Sequence, residues 1–146
     1  MRVTWLVNDV HSIPQLPDQS FDGVLCSSVI EYLERPHDAL REIARLLKPG
    51  GKLIFSAPPK WALVRIVQKL TRKLSRLFGG NRYPYLAVSI FEVDPNFLPE
   101  WIGEVGLVLD RVTRYDPLLP SAAQHFFRPS LLIIEAHKNG ALPDRG

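Results

Sequence analysis

The residues able to do chemistry stand at the ends of apolar runs. Asp9 follows RVTWLV and Asn8, where an aspartate leaving a strand is most simply read as opening a turn. Ser27 and Ser28 follow GVLC, just outside the carboxyl end of an expected strand, the crevice where open α/β sheets bind ligands. Two serines there also serve simply to satisfy backbone groups where a strand gives way to a helix. Glu31 and Tyr32 come next, and a phenol with a pKa near 10 is a poor general base at neutral pH. His11, His37 and His125 are candidates for substrate contacts, against the commoner reading of scattered histidines as structural or solvated. The lone Cys26 excludes an internal disulfide and any Cys-x-x-Cys motif, so no metal site is expected.

These positions need elements to hold them. Arg2–Val7 is short, β-branched and aromatic, which predicts a strand; Pro14 and Pro17 then force a loop. Gly23–Ser27 is an apolar run suited to a strand buried on both faces of a parallel sheet. From Pro36 to Leu47, Ala39, Leu40, Ile43, Leu46 and Leu47 recur at helical spacing, with Pro36 suited to the first turn. The breaker KPGG precedes a strand over Lys52–Ala57, closed by Pro58 and Pro59. Strand, helix and strand in that order make the two strands parallel. Trp61–Phe78 predicts a helix with apolar and basic residues segregated, Asn96–Val105 a short helix, and Leu107–Tyr115 and Ser130–His137 the last strands. Tyr83, Tyr85, Phe91 and Trp101 add aromatic surface that could line a pocket or fill the core.

Composition narrows the function classes. The 146 residues are 46% apolar, and 18 Lys+Arg against 15 Asp+Glu leave a formal charge of only +3. Such a balance suits one globular domain and is too weak to argue for nucleic acid. No apolar run reaches membrane-spanning length and no secretory signal is visible, so a cytoplasmic protein is expected.

Order and spacing together resemble a known family. The run VNDVHSIPQLPDQSFDGVLCSSVIEYLERPHDALREIARLLKPGGKLIFSAPP is similar to the middle of class I S-adenosylmethionine-dependent methyltransferases. The shared pieces are an acid after a strand, SFD before the next strand, and RLLKPGG closing the following helix. The resemblance implies an α/β fold: a truncated Rossmann-like methyltransferase sheet, mostly parallel, with an antiparallel carboxyl-terminal strand pair and helices on both faces. It implies S-adenosylmethionine as cofactor, with Asp9 and Val10 facing the adenine and Ser27 and Ser28 near the methionine moiety. Phe21 becomes a core aromatic and Asp22 a brace for its loop. Tyr32, Tyr83 and Tyr85 become candidates for contact with a small-molecule substrate. Glu31 and Tyr32 depart from the Glu-His of many relatives, so no catalytic base is assigned; an activated sulfonium donor asks mainly for alignment.

The family's glycine-rich turn, which approaches the cofactor after its first strand, has no counterpart here, since none of the glycines forms Gly-x-Gly between a strand and a helix. The favoured explanation is a fragment with a misplaced start, ahead of a degenerate paralogue or half of a site completed by another chain. The expected organisation is a partial methyltransferase domain over 1–138, with a substrate-covering insertion at 61–90, and a mobile tail over 139–146. Without the family's first strand between them, Arg2–Val7 and Gly23–Ser27 are expected to pair directly in parallel, and the exposed sheet edge allows a homodimer. The expected function is methyl transfer from S-adenosylmethionine to an unidentified acceptor, incomplete in this chain alone. The competing class is a noncatalytic methyltransferase-like module acting by protein binding, or by weak membrane-surface contact through 61–78.

Overall fold

The computed structural model describes residues 3–60, 70, 71, 74, 90–116 and 130–140. Four strands form one mixed sheet: β1 (Phe21–Cys26), β2 (Leu47–Ala57), β3 (Leu107–Tyr115) and β4 (Leu131–Lys138), in the spatial order β1-β2-β4-β3. Helix α1 (Pro36–Leu46) connects β1 to β2, and α2 (Leu98–Gly103) precedes β3. The β1–β2 pair is parallel, as a helical crossover requires, and the other two pairs are antiparallel. The resulting α/β sheet therefore has the expected parallel start and antiparallel carboxyl-terminal pair.

Strand β2 lies inside the sheet, paired with β1 on one side and β4 on the other. Leu53, Phe55 and Ala57 are fully buried and face the cluster formed with Leu40 and Ile43 of α1 and Leu98 and Ile102 of α2. Their register partners Ile134 and Ala136 on β4 and Cys26 on β1 point the same way. Lys52 and Ile54 point oppositely, in register with Gly23 and Leu25 of β1, and Leu25 is 74% exposed. Among the described residues, then, both helices pack on one face and none covers the other.

Several expectations are corrected. Residues 3–7 are exposed and form no strand, so the predicted strand Arg2–Val7 and its parallel pairing with Gly23–Ser27 are both absent. β propensity describes how well side chains suit a pleated surface; without a neighbouring ladder it cannot create one. Phe21, expected in the core, is 37% exposed because it stands at the outer edge of β1. Strand β2 begins at Leu47, five residues early, since Leu47 already pairs with Phe21. The register then advances from Phe21 to Gly23 on β1 while moving from Leu47 to Lys52 on β2, so KPGG bulges out of the ladder. Gly50 takes φ +76° in that bulge, and a Cβ on Gly51 would stand 2.9 Å from the Lys48 carbonyl. A second irregularity between Leu109 and Arg111 explains why the apolar alternation of β3 skips from Leu109 to Val112. The helix expected over Trp61–Phe78 and the insertion at 61–90 lie outside the described residues, except for Leu70, Thr71 and Leu74, which are helical, and Ile90. The end of the 139–146 tail is likewise outside.

The loop before β1 is clamped by α1. Arg45 donates to the carbonyls of Ile13 (3.1 Å) and Leu16 (3.0 Å) and to the carboxylates of Glu42 and Asp18. Glu42 Oε1 also accepts the Ile13 N–H at 2.6 Å. Hydrogen bonds from Arg45 hold the Glu42 carboxyl below its ordinary pKa. A carboxylate depressed in the folded state stabilises the fold above its unfolded pKa, and that contribution disappears as the pH falls through the folded value. Urea midpoints should therefore drop as the medium is acidified below about pH 4.3, the ordinary glutamate value, and Glu42→Gln should flatten that part of the profile.

Candidate functional site

The candidate site is the rim where β1 and β2 end and α1 begins. Ser27 and Ser28 are exposed there, immediately after Cys26. Ser28 adopts a left-handed backbone with φ 54°, uncommon for a residue with a Cβ. Its N–H donates to Ser56 Oγ at 2.8 Å, so the last turn of β2 fixes the chain leaving β1. Ser56 is itself buried and was not singled out by sequence; the contact joins residues 28 positions apart, which no local pattern reveals. Ser56→Ala would leave the Ser28 amide without its acceptor. A loss of about 1–2 kcal/mol in unfolding free energy is expected, measurable by urea titration, together with faster hydrogen exchange at Ser28.

Asp9 stands in a turn rather than at the end of a strand. The Ser12 N–H donates to the Asp9 carbonyl at 3.1 Å. The Asp9 carboxylate takes two donors on Oδ1, the His11 N–H at 2.9 Å and His11 Nδ1 at 2.6 Å. These bonds, backbone first, hold its carboxyl below the ordinary aspartate value, and the Arg35 guanidinium just before α1 pulls the same way. Further along the same loop, Ile13 and Leu16 lie against the last turns of α1. Oδ2 of Asp9 has no protein donor among the described residues, and the side chain is 67% exposed. Val10 packs against the edge of the core.

Other candidates divide. Tyr32 is 40% exposed in a short 3-10 turn over Ile30–Tyr32, whereas Glu31 is buried and its carbonyl accepts the N–H groups of Ile90 and Phe91. Tyr83, Tyr85 and His125 lie outside the described residues. His11 serves Asp9. His37 Nδ1 faces the Arg41 guanidinium at 3.1 Å and so acts as acceptor; its Nε2 lies 3.1 Å from Glu104 without hydrogen-bond alignment. Burial pushes the Cys26 thiol up in pKa, which removes it as a nucleophile. No cluster of three metal-ligating side chains occurs among the described residues, and none of their helices is long and apolar enough to cross a membrane.

A mixed sheet with a βαβ start and polar groups gathered at the carboxyl ends of its parallel strands defines a Rossmann-like α/β protein. The methyltransferase-domain family pattern matches residues 1–55. A ubiquinone biosynthesis O-methyltransferase of Xanthomonas oryzae pv. oryzae (strain PXO99A) is 31% identical over 124 residues, covering 80% of this chain and 48% of that protein. A demethylmenaquinone methyltransferase of Paenarthrobacter aurescens is 31% identical over 116 residues, covering 71% and 45%. The chain thus spans about half the length of the curated relatives it matches. In fold it is similar to an S-adenosylmethionine-dependent methyltransferase of Mesorhizobium loti, with TM-score 0.61, 19% identity and coverage of 90% of this chain and 68% of that one. Magnesium protoporphyrin IX methyltransferase of Synechocystis, solved with bound SAH, gives TM-score 0.58 at 19% identity over 93% and 51%. The chain belongs to the class I S-adenosylmethionine-dependent methyltransferase family.

Proposed function

We propose that this chain supplies the adenine-facing rim and the acceptor side of a methyl-transfer site that uses S-adenosylmethionine and a small organic acceptor. The reading is supported by Ser27 and Ser28, exposed at the end of the parallel β1–β2 pair with Ser28 held by Ser56, and by Asp9, exposed in the turn before β1. The donor set fits one end of the cofactor. Asp9 keeps Oδ2 open as an acceptor for the adenine amino group, and Val10 offers a half-buried backbone beside it. Ser27 and Ser28 offer exposed hydroxyls toward the methionine moiety. Nothing comparable among the described residues fits the ribose hydroxyls, so affinity from this chain alone is expected to be weak.

The bound cofactor would supply a methyl group on a positively charged sulfur, already activated for transfer. The chain's own task is to bind, to orient and to limit access of water, with no residue assigned as base. Tyr32, exposed near Ser28, and the tyrosines Tyr83 and Tyr85 are the proposed acceptor contacts. The lone reduced cysteine suits work in the cytoplasm. Similarity to enzymes named for quinone biosynthesis favours a cyclic organic acceptor over a macromolecule.

Calorimetric titration with S-adenosylhomocysteine tests the reading. Saturable heat is expected, weakened about tenfold by Asp9→Ala, the worth of one charge-assisted hydrogen bond. Absence of heat at millimolar ligand removes cofactor binding from this chain on its own.

A further inference from the structure

The two edges of the sheet are built differently. Strand β3 carries Asp110, Arg111 and Arg114 and holds an extra residue between Leu109 and Arg111, the charges and irregularity that discourage a further strand. Strand β1 has neither defence. The extra residues of its bulge lie on β2, and its one charge, Asp22, is tied to Lys48 at 2.8 Å. Among the described residues, no backbone group of Phe21–Cys26 bonds outside the β1–β2 ladder, so the outer row of donors and acceptors is unpaired. On the uncovered side of the sheet this edge presents Gly23 and Leu25, with Ile54 of β2 next to Leu25. Gly23 leaves a gap that the chain itself does not require. A Cβ there would meet only the Lys52 carbonyl, at the ordinary distance of 3.6 Å.

The same chain carries strand-forming residues without a sheet. Residues 3–7, VTWLV, hold no charge, are β-branched and aromatic, and are exposed throughout, Trp5 by 89%. They do not pair with the β1 edge of their own chain. We propose that two copies of this chain exchange these segments, residues 3–7 of each adding a strand to the β1 edge of the other. Period-two alternation puts Val3, Trp5 and Val7 on one side of the added strand. With Trp5 opposite Gly23 its ring fills the gap, as an aromatic side chain across from an edge glycine does, and in either chain direction Val3 or Val7 meets Leu25. Main-chain bonds to the open edge supply affinity, and the glycine seat supplies register. A two-fold axis makes every contact twice. An indole covers about 150–250 Å², so two exchanges with their valines, Leu25 and backbone edges reach on the order of 1,000 Å², the area a specific interface needs. The pairing uses none of Asp9, Ser27 and Ser28 and stands apart from the function proposed above.

Sedimentation equilibrium of the full chain should show a monomer–dimer equilibrium with Kd between about 1 and 500 μM. Trp5→Lys and Leu25→Lys, both at exposed positions that leave the packing of the monomer intact, should each raise Kd at least about tenfold. Gly23→Ala should raise it about threefold while the dilute monomer melts no lower, because alanine is the better residue inside a strand. Val108→Lys adds the same charge to the uncovered side at the far end of the sheet, and Kd should stay within about twofold. In a mixture of carbon-labelled and unlabelled chains, isotope-filtered NMR should place the Trp5 ring against the Gly23 Cα protons of another copy. A chain monomeric up to about 1 mM, or a dimer indifferent to Trp5→Lys, overturns the proposal. Equal weakening by Val108→Lys and Leu25→Lys overturns it in favour of sheets stacked face to face. A Trp5–Gly23 contact found within one copy and absent between copies overturns it in favour of a segment folded onto its own edge.

Discussion

Phe55→Ala is expected to lower the unfolding free energy by about 3–5 kcal/mol, the loss seen when a buried phenyl ring is removed and its cavity only partly closes. Phe55 is fully buried at the middle of β2, in register with Cys26 on one side and Ile134 on the other. It is also the ring against whose edge Trp101 rests. A urea titration should show the midpoint falling with little change in slope, because the same surface is exposed on unfolding. Near-ultraviolet circular dichroism should lose intensity from Trp101 even where the variant remains folded. That second signal ties the core to its aromatic neighbours: the residue that stabilises the sheet also fixes Trp101, which packs on Phe91. Phe55→Leu, which keeps most of the volume, should recover much of the stability while leaving the Trp101 signal reduced.

How much of this was legible depended on whether the cause was local. Helix α1 could be read because Pro36 and KPGG punctuate it and its apolar residues recur at the period of a helix. Strand β4 was legible as SLLIIEAH, and its antiparallel pairing with β3 followed from the family resemblance. Arg2–Val7 has the composition of a strand as good as any in the chain, yet a strand is a relation between neighbours, and the described residues provide none for it. At the site, Asp9, Ser27 and Ser28 could be singled out only because of the resemblance; by residue type alone a turn and a strand end were sufficient explanations. The residues that hold them were hidden for a physical reason. Ser56 meets Ser28 only after β1, α1 and β2 have assembled. His11 lies two positions from Asp9 and could have been suspected as its partner, since an Asx turn brings the donor at i+2 to the carboxylate.

Adjacent residues of β2 should respond to the same substitution in opposite ways. Leu53→Lys is expected to abolish folding, and Ile54→Lys to change stability by within about 0.5 kcal/mol, the range for surface positions. Leu53 is fully buried among α1 and β4 residues, and an ammonium there would have neither water nor a counterion. Ile54 is 39% exposed beside Leu25 and Glu135, and its neighbour Lys52 already carries a cation on that face. Circular dichroism melts of the two variants, made and measured alike, decide the matter. A folded Leu53→Lys protein would contradict the packing of both helices on that side of the sheet. An Ile54→Lys protein as unstable as Leu53→Lys would show that the opposite side is covered by something the described residues do not contain. The contrast is sharp because period-two alternation leaves no intermediate position: a strand residue points into one layer or the other. For this family member the distinction also bears on function. Ser56 shares the side of Ile54 yet is buried where the Ser28 N–H donates to it, whereas Gly23, Leu25 and Ile54 on that side form a surface that contributes little to the stability of the chain itself.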